Sequence, residues 1–146
     1  MNRKMLLAFV MVSGMALAAV GPAWAQDPGA VNATIPFAFN VGAKVLPAGN
    51  YEIRRLLAGT LVIKNADTRD CATALVMDGA PKDLTQEAEL VFHQYGDSRF
   101  LSQVSTRDTQ RELSMSKLER REASKASEAA ANHLGSRVIY VAARAQ

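Results

Sequence analysis

The chain has 146 residues, with 17 Lys+Arg against 14 Asp+Glu, one Cys and two His, which is the size of one domain. Residues 1–25 hold Arg3 and Lys4 and no acid, so without them 15 basic residues face 14 acidic ones and the net charge is +1. A near-neutral chain with no Lys/Arg run interleaved with aromatics lacks the field that nucleic-acid binding requires, so nucleic acid is excluded as a partner. One Cys excludes an internal disulfide, and two His with one Cys cannot complete a zinc site without carboxylates; no cofactor is expected.

Residues 1–4 form a short positive start, residues 5–20 are an apolar run broken by Ser13 and Gly14, and Gly21-Pro22-Ala23-Trp24-Ala25 follows. This is the pattern of a secretory signal peptide over 1–25, cleaved between Ala25 and Gln26. The sixteen or so apolar residues approach the roughly 17 to 25 that span a bilayer, so the alternative is a retained anchor. No Cys stands at the cleavage point to take a lipid. The expectation is export to the periplasm or the exterior, a single β-rich domain over 26–146, and no stable membrane span once the leader is removed.

From Val31 the apolar residues fall on alternate positions through Ala33, Ile35, Phe37, Phe39 and Val41, the period of a strand with one buried face. Pro36 cannot donate to a ladder and predicts an edge strand. Leu46-Pro47-Ala48-Gly49 suits a type I turn, and 51–57 with 60–64 reads as a hairpin closed at Ala58-Gly59. Residues 71–77 are apolar on both faces, as in a central strand, with Cys71 as a small buried thiol. Glu89 to Tyr95, Gly96-Asp97 and Ser98 to Val104 give the clearest hairpin, with a type II′ turn.

At Thr109 the period changes. Thr109 to Glu112 and Ser116 to Glu119 both match the capping-box pattern, and no Gly or Pro follows until Gly135, so a helix is predicted over about 111–132. Its apolar stripe, Leu113, Met115 and Leu118 before alanines, is thin; Lys125 can pair with Glu122 and Glu128. Gly135 can end the helix, and a last strand is expected over about 137–142. The fold class is therefore mainly β: an antiparallel β-sandwich, or a small barrel, of about seven strands with one helix in the C-terminal region.

Three stretches carry a resemblance: Phe39-Asn40-Val41-Gly42-Ala43-Lys44-Val45-Leu46-Pro47-Ala48-Gly49-Asn50-Tyr51; Leu90-Val91-Phe92-His93-Gln94-Tyr95-Gly96-Asp97 with Phe100-Leu101-Ser102; and Arg111-Glu112-Leu113 before a charged helix. In these the chain resembles a family of small exported proteins of soil bacteria, especially acidobacteria, over most of residues 26–146. That family has no assigned activity or ligand, so the resemblance carries over no functional residue. Ser114 stands where the family pattern has Pro, and the alanine-rich 123–131 is peculiar to this chain.

His93 and Tyr95 share a strand face, and with Arg99 on the returning strand they are the candidate binding residues. Ser98, Ser102, Ser105 and Asp97 lie near His93 in sequence, but no Gly-x-Ser-x-Gly elbow supports a nucleophile. Glu87 and Glu89 lie too close together for a glycosidase pair. His133 suits a helix C-terminus, and no metal or catalytic residue is assigned. Arg54-Arg55 and Arg120-Arg121 can meet an anionic glycan or lipid headgroup. The leading expectation is a non-enzymatic module of the cell envelope or exterior, its partner a glycan, a lipid or a protein. One alternative is a carrier whose aromatics line a cavity for an apolar ligand. The other is a small hydrolase using His93, which requires an acid and a hydroxyl within reach of the imidazole.

Overall fold

The computed structural model describes residues 30–57, 59–79, 87–107, 109–130 and 136–145. The leader with its Ala25/Gln26 cleavage point, His133 and Gly135 lie outside them. Among the described residues the chain is mainly β, with eleven strands and one helix: β1 Val31–Ile35, β2 Phe39–Val41, β3 Lys44–Leu46, β4 Gly49–Leu57, β5 Thr60–Asn65, β6 Cys71–Asp78, β7 Glu89–Tyr95, β8 Ser98–Ser105, β9 Gln110–Leu113, α1 Lys117–Ala130, β10 Arg137–Ala142 and β11 Arg144–Ala145. Four short strands, β2, β3, β9 and β11, account for the excess over the expected seven.

The strands form one mixed sheet in the order β10-β7-β8-β9-β6-β5-β4-β1-β11, with β2 pairing β3 and, in parallel, β8. The path is open, and its two ends, β10 and β11, are separated in the chain by Ala143 alone. Strand β6 turns the sheet, pairing β5 through Cys71 to Leu75 and β9 through Val76 to Asp78. The sheet therefore folds back on itself. Ring contacts join its halves: Phe39 of β2 meets Tyr51 of β4 at 5.1 Å and Phe92 of β7 at 5.4 Å, both edge-on.

Period-two burial persists from Val31 to Val41, but the stretch is two strands. Pro36 stands in the gap between them, where no ladder bond is lost. Strand β1 is not the expected edge, since β4 pairs with it on one side and β11 on the other. The expected hairpins β4–β5 and β7–β8 are present. Gly96 takes a left-handed φ of 58° and Asp97 does not, as a II′ turn requires. At Leu46-Pro47-Ala48-Gly49 the turn is a corner between β3 and β4, which do not pair. A Cβ on Gly49 would lie 2.9 Å from Asn65 Nδ2, and the Tyr51 hydroxyl donates to Pro47 O at 2.6 Å.

Two expectations about β6 fail. It is central in pairing but buried on one face only: Ala72 and Val76 point inward, while Leu75 and Met77 are 69% and 62% exposed. Cys71 is exposed rather than buried. An apolar run on both faces is equally compatible with an apolar outer surface, and here Leu75 and Met77 belong to one.

The helix starts later than predicted, at Lys117. Gln110 to Leu113 extend as β9, pairing β8 and β6, and Thr109 caps no helix but closes a turn with Thr106, hydroxyl to hydroxyl at 2.9 Å. Ser116 is the true cap, its Oγ accepting from Glu119 N–H at 3.0 Å, worth about 1 kcal/mol. Leu113 belongs to the strand, Met115 and Leu118 are 41% and 36% exposed, and the buried helix residue is Glu119. Lys125 pairs with Glu122 at 2.8 Å.

Burial of Ile35, Phe39, Leu46, Tyr51, Ile53, Ile63, Leu90 and Phe92 at 1% exposure or less forms the core. Each such side chain stabilises the fold by about 1.5–3 kcal/mol. Arg111 is also buried, at 6% exposure, on the inner face beside Val104, with Asp78 at 3.7 Å.

Candidate functional site

The side chains of His93 and Tyr95 leave the outer face of β7, and α1 lies against that strand. A bulge falls between Val91 and Phe92 in the pairing with β8, since Val91 opposes Gln103 and Phe92 opposes Leu101. Ser102 is thereby the extra residue, turned out of its alternation. Its Oγ reaches His93 Nε2 at 3.3 Å. On the other ring nitrogen, Nδ1, Glu119 Oε1 stands at 3.5 Å and Tyr95 OH at 3.5 Å. Phe100, buried at 1% and outside the main core cluster, lies against the Tyr95 ring with centroids 6.0 Å apart.

Glu119 is the residue that sequence reasoning missed. It is the fourth and last residue of the capping box begun by Ser116, whose backbone N–H also reaches its carboxylate, so the helix start aims it at the sheet. Burial pushes its pKa up from the ordinary 4.5, and His93 works in the opposite direction. Oε1 has no well-formed hydrogen bond, its contact with His93 Nδ1 standing at 3.5 Å. Burial likewise raises the Tyr95 phenol, with Glu119 adding to it.

The structure separates Arg99 from the other two candidates. It pairs with Gln94 and so faces the opposite side of the sheet from His93. Its guanidinium lies over the Phe37 ring at 4.9 Å, and Asn40 Nδ2 donates to its carbonyl at 3.0 Å. Of the serines near His93, Ser105 is buried against Gln103 Nε2, and Asp97 is exposed in the hairpin turn.

Chemically, a proton on Nδ1 facing Glu119 leaves the Nε2 lone pair to accept from the Ser102 hydroxyl. Hydroxyl, imidazole and carboxylate then stand in the order of a nucleophile, its base and the group that orients the base. A groove of about 650 Å³ lies elsewhere, lined among others by Asn32, Thr34, Asn50, Glu87 and Arg144. A smaller one of about 170 Å³ touches Glu119, Phe100, Leu75 and Leu113. Among the described residues no three His, Cys, Asp or Glu side chains are placed to hold a metal ion, and no helix is long and apolar enough to cross a membrane.

No protein-family model, no curated protein and no solved structure matches the chain.

Proposed function

We propose that this chain is an exported β-rich module of the cell envelope or exterior that acts by binding through its surface. The observation that carries the reading is the aromatic packing of the interior. Phe37, Phe39, Tyr51 and Phe92, which would line a carrier's cavity, close on one another at 5.1–5.4 Å. Packing of this kind leaves no space between the rings for an apolar ligand. Only Ala143 separates the strands that end the sheet path, which supports a flattened barrel over two separate sheets. The leader is the ground for export. Fractionation of the host's cells with N-terminal sequencing tests it: recovery from the envelope or medium beginning at Gln26 is expected, and a cytoplasmic chain beginning at Met1 would overturn it.

The second reading, a small hydrolase, is favoured by the Ser102–His93–Glu119 order. In that chemistry Ser102 Oγ would attack an ester carbonyl, its proton passing to His93 Nε2 and on to the leaving alcohol, with water then releasing the acyl group. Labelling with a fluorophosphonate tests this. Stoichiometric labelling of the wild type that is lost in Ser102→Ala would establish it, and an unlabelled wild type rejects it.

A further inference from the structure

We infer that the corner where the β4–β5 turn, the end of β6 and the β9–α1 link meet is a docking face for an anionic lipid surface; this rests on the envelope reading above. Leu57, Thr60 and Leu75 form one cross-strand row, with Met77 two residues further along β6. Ser114 N–H donates to Leu75 O at 3.1 Å, which brings Met115 to the same place. Leu56, Leu57, Leu75 and Met77 are 62–70% exposed and Met115 is 41% exposed. Large side chains gathered at such exposure mark a contact surface rather than incidental apolar residues.

Charge selects the occupant. Lys117, Arg120 and Arg121 open the helix beyond Met115; all three are exposed, and Arg120 Nη2 donates to Met115 O at 3.3 Å. Among the described residues, acids near this corner include Glu112, opposite Met77, Asp78 and Glu122. A second copy applying the same face across a two-fold axis would bring like cations together. An anionic bilayer instead takes the leucines and methionines among its acyl chains and pairs the cations with its headgroups.

The test uses the processed protein purified from its host and sedimented with vesicles. Binding to phosphatidylglycerol/phosphatidylethanolamine vesicles is expected to exceed that to phosphatidylcholine vesicles by about tenfold at low salt and to weaken as salt rises. Both Leu75→Thr/Met77→Thr and Arg120→Gln/Arg121→Gln should reduce it by about fivefold or more while circular dichroism stays unchanged. Equal binding to the two vesicle types, binding to neither, or variants that bind as the wild type does would overturn the inference. So would a dimer in sedimentation equilibrium that the first variant dissolves, since the occupant would then be a second copy. Any of these results with a chain recovered from the envelope or medium fails the lipid surface alone, whereas a cytoplasmic chain with its leader attached fails the envelope reading beneath it.

Discussion

Oε1 of Glu119 lies 3.5 Å from Nδ1 of His93, and Glu119 is the helix residue that burial singles out. A helix otherwise presenting alanines to the sheet is thus held at its first turn by a polar contact. The alanine side chains offer little area, so docking depends on this corner more than on the length of the helix.

Replacement of Glu119 should show that dependence. Glu119→Ala removes the carboxyl facing His93 and leaves space beside Phe100, and is expected to cost about 1–2 kcal/mol in urea unfolding. Glu119→Leu should lose less, because an apolar side chain there avoids the desolvation of a carboxylate and can fill the groove against Phe100 and Leu113. A leucine variant weaker than the alanine variant would contradict this account.

The pH dependence has a definite sign. Burial holds the Glu119 pKa above its ordinary 4.5, so the folded state retains this proton more tightly than the unfolded state. Its stabilising contribution is complete below 4.5 and is lost as pH rises through the elevated folded pKa. The stability of the wild type relative to Glu119→Gln should therefore fall from pH 4.5 toward neutrality in a series of urea titrations. A difference that grows with pH would mean a depressed carboxylate instead.

Gly49 is held by a close approach. A methyl group there meets Asn65 Nδ2 at 2.9 Å, and Asn65 cannot swing away, because its Oδ1 accepts from the Asp67 and Thr68 N–H groups at 2.8 and 3.0 Å. Gly49→Ala is expected to destabilise the fold by about 1–3 kcal/mol, read as a lower urea midpoint. An unchanged midpoint would mean that the 65–70 loop yields.

Cys71 is exposed at the start of β6. A disulfide-exchange reagent should consume one equivalent of thiol, the chain's single Cys, without denaturant. Reaction only after unfolding would place the thiol inside.

The legible parts of the sequence were those in which one local rule decided the outcome. Alternation from Val31, the Gly96-Asp97 turn and the Ser116 cap each needed only a few neighbours. Strand β9 escaped because Arg111 faces the core, which inverts the sign expected of an inward position. Burial of one face of β6 was not legible, since an apolar outer face and an apolar inner face read alike. The site was half legible: His93 and Tyr95 share a face by period two, and the same period would have put Arg99 on the other. Ser102 joined them through a bulge, and Glu119 through a contact spanning 26 residues of sequence, neither of which a residue pattern announces.

Native mass spectrometry of the processed protein from its own host, after a detergent wash that strips surface lipid, tests the central claim most directly. The account predicts the mass of the polypeptide from Gln26 onward with nothing added, because the Phe39, Tyr51 and Phe92 rings fill the interior. A stoichiometric apolar molecule that survives the wash and departs only on denaturation would contradict it and make the protein a carrier.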